Sequence, residues 1–66
     1  MRIFLNGRPS ELTEQLTLAE LVGRVSDRQA GIAVAVNAVV VPRGSWPATP
    51  VTEGDRIEVV TAVQGG

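Results

Sequence analysis

Residues 17–25 read "TLAELVGRV". Thr17 and Glu20 have the spacing of a capping box, in which the threonine hydroxyl accepts a backbone N–H one turn on and the glutamate reaches back to the cap. Leu18, Leu21, Val22 and Val25 then recur at i, i+3, i+4 and i+7, which lays one apolar stripe along a helix. Gly23, inside the helix, weakens it somewhat. A single short helix with one narrow stripe cannot enclose a core. It has to lie on another layer, and the flanking sequence supplies strands.

On the N-terminal side, "RIFL" is followed by Asn6-Gly7, a pair suited to the type I′ turn of a two-residue β-hairpin. The spacing predicts a second strand within Arg8–Glu14, confined by Pro9 to a sheet edge. On the C-terminal side, "SDRQAG" is a polar connection and "IAVAV" at 32–36 a third strand. Asn37-Ala38 interrupts before a short fourth strand in "VVVP". Alanine is less comfortable than glycine at positive φ, so the turn type stays open here. "RGSWPATPVTEGD" reads as a loop punctuated by prolines, and Arg56–Ala62 as the last strand. The order is two strands, a helix, then two or three strands. One helix across a mixed four- to five-stranded sheet is the α+β architecture of a β-grasp, with the first and last strands side by side in the middle. A single domain spanning 1–66, with residues 63–66 projecting as a tail, is the expected organisation.

At 66 residues a chain buries only about 60% of its unfolded surface. Cysteine is absent, so neither a disulfide nor a thiolate metal site can staple the domain. Histidine is absent too, which removes the commonest general base and neutral metal ligand. The candidate bases are seven carboxylates that form no paired acid/base cluster in the sequence. This inventory argues against an enzyme in its own right: if the protein takes part in chemistry, another protein supplies the catalytic groups. Neither a metal nor a bound cofactor is expected.

The net charge is −1 and the six arginines are scattered, with only Phe4 and Trp46 able to stack on bases. Nucleic-acid binding is not expected. The longest apolar stretch, "GIAVAVNAVVV", is too short to span a bilayer, and "MRIFLNG" is no signal peptide. No membrane association, a cytoplasmic location and a monomeric free state are the expectations.

Alternation along the central strands sorts their side chains. Ile3 and Leu5 face the helix, as do Ile57, Val59 and either Thr61 or Val63. Phe4, Val60 and Ala62 then form a modest apolar patch on the open face, rimmed by Arg2 and Glu58. This patch is a candidate partner-binding surface beside the tail.

The tail reads Val63-Gln64-Gly65-Gly66. Glycine adds no packing, so the dipeptide contributes nothing to the strand before it. Two glycines can, however, thread a narrow channel that side chains would block. An activated glycine carboxylate is also unhindered and has no stereocentre to epimerise. Lysine is missing from the chain, so no side-chain ε-amine could capture such a group.

"NG" at 6–7, "TLAEL" at 17–21, "AVAVN" at 33–37, "VVPR" at 40–43, Trp46, "EGDRIEVV" at 53–60 and "TAVQGG" at 61–66 fall in one order along the whole chain. In that order the sequence resembles the ThiS family, ubiquitin-like sulfur carriers of thiamin thiazole biosynthesis. Ala38, where the family often has glycine or a polar turn residue, and Gly23, in a usually leucine-rich helix, depart from the pattern. The resemblance implies that a ubiquitin-activating-type adenylyltransferase uses ATP to adenylate the Gly66 carboxylate. A sulfur donor, either a cysteine desulfurase or a persulfide protein, then converts it to a thiocarboxylate, and thiazole synthase takes the sulfur. Gly66 is the reactive position, Gly65 its conformational partner, and Gln64 and Val63 the rest of the threaded tail. Three alternatives share much of the pattern: a molybdopterin-synthase small subunit, a ubiquitin-like modifier joined to target lysines, and a plain β-grasp binding module with an inert tail.

Overall fold

Asn6 and Gly7 both take positive φ, 51° and 81°, and turn the chain between β1 (Arg2–Leu5) and β2 (Arg8–Glu11). The two strands pair antiparallel, with Leu5 opposite Arg8 across the two-residue turn. Pro9 lies in β2 opposite Phe4, and β2 is an edge strand, where a missing N–H costs no ladder bond. The computed structural model describes residues 1–26 and 31–61.

Helix α1 (Leu18–Val25) begins at the capping box. Glu20 N–H donates to Thr17 Oγ1 at 3.2 Å, and Thr17 N–H donates to Glu20 Oε1 at 2.8 Å. Eight residues are too few for a helix to hold in water unaided, so packing must maintain it. Its stripe supplies that packing: Leu18, Leu21 and Val22 are buried, worth about 1.5–3 kcal/mol each. Val25, the fourth member of the stripe, is largely exposed where the helix ends.

β3 (Ile32–Val36) and β4 (Val39–Val40) form a second antiparallel hairpin, with Val36 opposite Val39. Asn37 and Ala38 both have positive φ, 52° and 70°, the signs of a type I′ turn. The turn type left open by the sequence is thereby settled, with alanine held where glycine is easier.

The segment after β4 is not simply a loop. Arg43–Ala48 forms a 3-10 helix, held by Ser45 N–H to Pro42 C=O and Thr49 N–H to Trp46 C=O. Its purpose is to bury Trp46, which is 5% exposed and donates its indole N–H to Val41 C=O at 2.9 Å. Pro47 fits because its fixed φ is compatible with a tight turn. The chain then runs back past the start of α1, where Leu18 N–H donates to Thr49 C=O and Val51 N–H to Leu16 C=O. Leu16, Trp46 and Val51 thus extend the core beyond the sheet.

β5 (Arg56–Thr61) completes a five-stranded mixed sheet of order β2-β1-β5-β3-β4. β5 runs parallel to β1 and antiparallel to β3, so the first and last strands are neighbours at the centre, as the β-grasp reading requires. Ile3, Val34 and Ile57 are buried from the three central strands against the helix stripe. Thr61 is exposed rather than inward-packed, and its cross-strand partner Ile32 packs against the core at that level instead. The last strand is described only to Thr61, and the alternative inward residue Val63 lies outside the described residues.

Candidate functional site

One face of the sheet is covered by α1 and the other is open. The register fixes which side chains share the open face. Phe4 stands directly opposite Arg56, Glu58 opposite Ala35, and Val60 opposite Ala33. Ala35 in turn faces Val40 across the β3–β4 hairpin.

This register divides the expected patch. Phe4 and Val60 do not adjoin: Val60 is four positions along β5 from Arg56, about 13 Å at the usual strand rise. Instead the Arg56 guanidinium carbon lies 5.7 Å from the centroid of the Phe4 ring, within cation–π range. The pair lines a cleft of about 610 Å³ together with Gly7, Asn37, Ala38 and Glu58. Arg2 is further away still. Its Nε donates to Glu11 Oε1 at 3.1 Å, which directs it toward the β2 edge rather than toward Val60. Alternation puts Phe4 and Val60 on one face, but the pairing offset between β1 and β5 is not visible in either strand alone.

Nearer the end of β5, Val60 is 56% exposed and adjoins exposed Ala33. Ala35 and Val40, the latter 70% exposed, continue the apolar strip across β3 and β4. Ala33, Ala35, Val40 and Arg56 are the open-face residues missed from sequence. The period-2 alternation of "IAVAV" carried the signal for the two alanines.

Two asparagines grip β5 from its two sides. Asn37 Oδ1 accepts from Arg56 N–H at 3.0 Å, and its Nδ2 donates to Asp55 Oδ1 at 3.1 Å. Asp55 is buried and also accepts from Thr52 N–H at 2.8 Å. On the other side, Asn6 Oδ1 accepts from Val59 N–H at 2.9 Å, and its Nδ2 donates to Val59 C=O at 3.3 Å. β5 is therefore clasped at Arg56 and at Val59 by side chains from the two hairpin turns.

Ala62, Val63, Gln64, Gly65 and Gly66 lie outside the described residues. Among the described residues no group of three or more carboxylates could hold a metal ion, and no helix is long and apolar enough to cross a membrane.

The family model that matches this chain is that of the ThiS family, over residues 3–66. The chain belongs to the ThiS family. The sulfur carrier protein ThiS of Escherichia coli is 35% identical over 66 residues, covering all of both chains. The crystal structure of the thiamine biosynthesis protein ThiS of Geobacter metallireducens superposes with a TM-score of 0.85 at 33% identity, again over all of both chains. A thiazole synthase of Magnetococcus marinus is 38% identical across all of this chain, which matches 20% of that protein. The ThiS-family chain is thus a small carrier protein of thiamin biosynthesis rather than an enzyme, and its ubiquitin-like β-grasp fold is that of its structural neighbour.

Proposed function

We propose that the chemistry of this carrier takes place on the carboxylate of Gly66. The observation that carries the reading is the end-to-end match to ThiS carriers, which runs through Gly66. A ubiquitin-activating-type adenylyltransferase joins a Gly66 carboxylate oxygen to the α-phosphate of ATP, and pyrophosphate leaves. The terminal sulfur of a persulfide, on a cysteine desulfurase or a persulfide protein, attacks the activated carbonyl and displaces AMP. A second thiol attacks the resulting acyl disulfide, forms a disulfide with the donor and releases the thiocarboxylate. Thiazole synthase then takes that sulfur. A protein named thiazole synthase that contains a stretch like this whole chain supports a direct encounter between the two. The matches to thiamin-branch carriers favour this reading over the molybdopterin-synthase alternative.

The chain's own contribution is presentation. Ordering the four residues 63–66 in a partner's channel costs about 1–2 kcal/mol each, or about 4–8 kcal/mol together. Two of the four are glycines, which offer little contact in return. The open face supplies the compensating affinity through the Phe4–Arg56 pair, the Val60 strip, and Glu58 and Arg2 at the rim. Adding one residue after Gly66 tests the mechanism. Loss of thiamin-independent growth in a carrier-deficient host is expected. Full growth with the untrimmed, extended chain would show that Gly66 need not bear the reacting carboxylate.

A further inference from the structure

The β1–β5 ladder has regular rungs from Phe4 N–H to Asp55 C=O and from Asn6 N–H to Ile57 C=O, each 2.8 Å. The next rung would fall at Val59, but β1 has ended at Leu5 and the chain turns away at Asn6, where φ is 51°. Val59 would then present an N–H and a C=O toward a strand that is no longer there. The Asn6 side chain replaces the missing residue. A carboxamide carries the same donor and acceptor as a peptide group, and here it both accepts from and donates to Val59. Both backbone groups of Val59 are thus taken by Asn6, while Val34 of β3 is its register partner on the other side. Beyond it, Thr61 is opposite Ile32 on the β3 side, while β1 offers no further rung.

We infer that Asn6 is a positioning residue for the carrier's encounter with its partner, fixing Val59 and with it the part of β5 that leads on to Gly66. The inference rests on the proposed chemistry at Gly66. Turn formation alone does not require the asparagine, because glycine adopts positive φ at least as readily. What asparagine adds is the pair of hydrogen bonds to Val59. Holding Val59 in place before a partner arrives lowers the ordering cost of docking, so the effect belongs to productive encounter rather than to the bond-making step.

The variant that separates the two roles is Asn6→Gly, which keeps the turn and removes the clasp. Asn6→Asp keeps the acceptor for Val59 N–H and lacks the donor. Native-state amide hydrogen exchange on the isolated protein should show Val59 opening about tenfold faster in Asn6→Gly than in wild type, with Val34 and Val22 changing less. Asn6→Asp should fall between. With the host's adenylyltransferase, ATP–pyrophosphate exchange should show the KM for the carrier rising about tenfold in Asn6→Gly while kcat holds. Unchanged exchange at Val59 relative to Val34, or local opening at Val59 with an unchanged KM, overturns the positioning role. A wild-type chain that supports no ATP–pyrophosphate exchange overturns the Gly66 reading beneath it, and is distinguishable because the hydrogen-exchange comparison needs no enzyme.

Discussion

Arg56 stands opposite Phe4 across the parallel β1–β5 pair, its guanidinium carbon 5.7 Å from the ring centroid. The pairing gives the open face a rigid aromatic platform with a cation on top, and the apolar strip at Val60 begins about 13 Å further along β5. A partner that docks on this face therefore meets two separate anchors. Phe4→Asp and Val60→Asp should each weaken binding to the adenylyltransferase by about tenfold or more, as loss of a hot-spot contact does. Neither side chain belongs to the buried cluster, so the midpoint of urea unfolding should change little by comparison. Titration calorimetry with the adenylyltransferase checks the first expectation, and unaltered affinity in both variants would remove the open face from the docking surface.

Asp55 is a buried carboxylate whose oxygens accept from Thr52 N–H and from Asn37 Nδ2. It ties the turn before β5 to the turn between β3 and β4. Asp55→Ala leaves both donors without their partner and should destabilise the domain by about 1–3 kcal/mol. Chemical denaturation monitored through Trp46 fluorescence measures this, since the indole leaves its buried site on unfolding. Asp55→Asn retains one carbonyl acceptor and should cost less.

Ala38 is held at φ 70°, a region in which a Cβ is strained. Ala38→Gly should stabilise the domain by about 1 kcal/mol, the released strain exceeding the extra entropy of an unfolded glycine. An upward shift in the thermal midpoint is the expected outcome. A downward shift would mean that the hairpin holds alanine without strain.

The features that were legible in the sequence are those written locally. The capping box at Thr17 and Glu20, the Asn6-Gly7 turn and the extent of "IAVAV" each depend on a few adjacent residues. Their structural counterparts fall where the spacing puts them. The central pairing of the first and last strands was reachable because so few two-layer arrangements accommodate one helix and this strand order. The 3-10 helix was missed because it exists to bury Trp46, and burial is set by Leu16 and Val51 from elsewhere in the chain. The candidate site was half visible. Alternation put Phe4 and Val60 on the same face, but only the β1–β5 register shows that Arg56, not Val60, is the neighbour of Phe4. Asn6 and Asn37 were readable as turn formers. Their grip on β5 was not, because it joins positions 53 and 19 residues apart.

Whether Gly66 bears the transferable sulfur can be read from the intact mass of the carrier recovered from cells growing without thiamin. The expected result is a population in which one sulfur has replaced one oxygen, with the change confined by fragmentation to the terminal glycine and abolished when the adenylyltransferase is deleted. A carrier that keeps an ordinary carboxylate under those conditions, or that is recovered instead as isopeptide-linked adducts on other proteins, would contradict it.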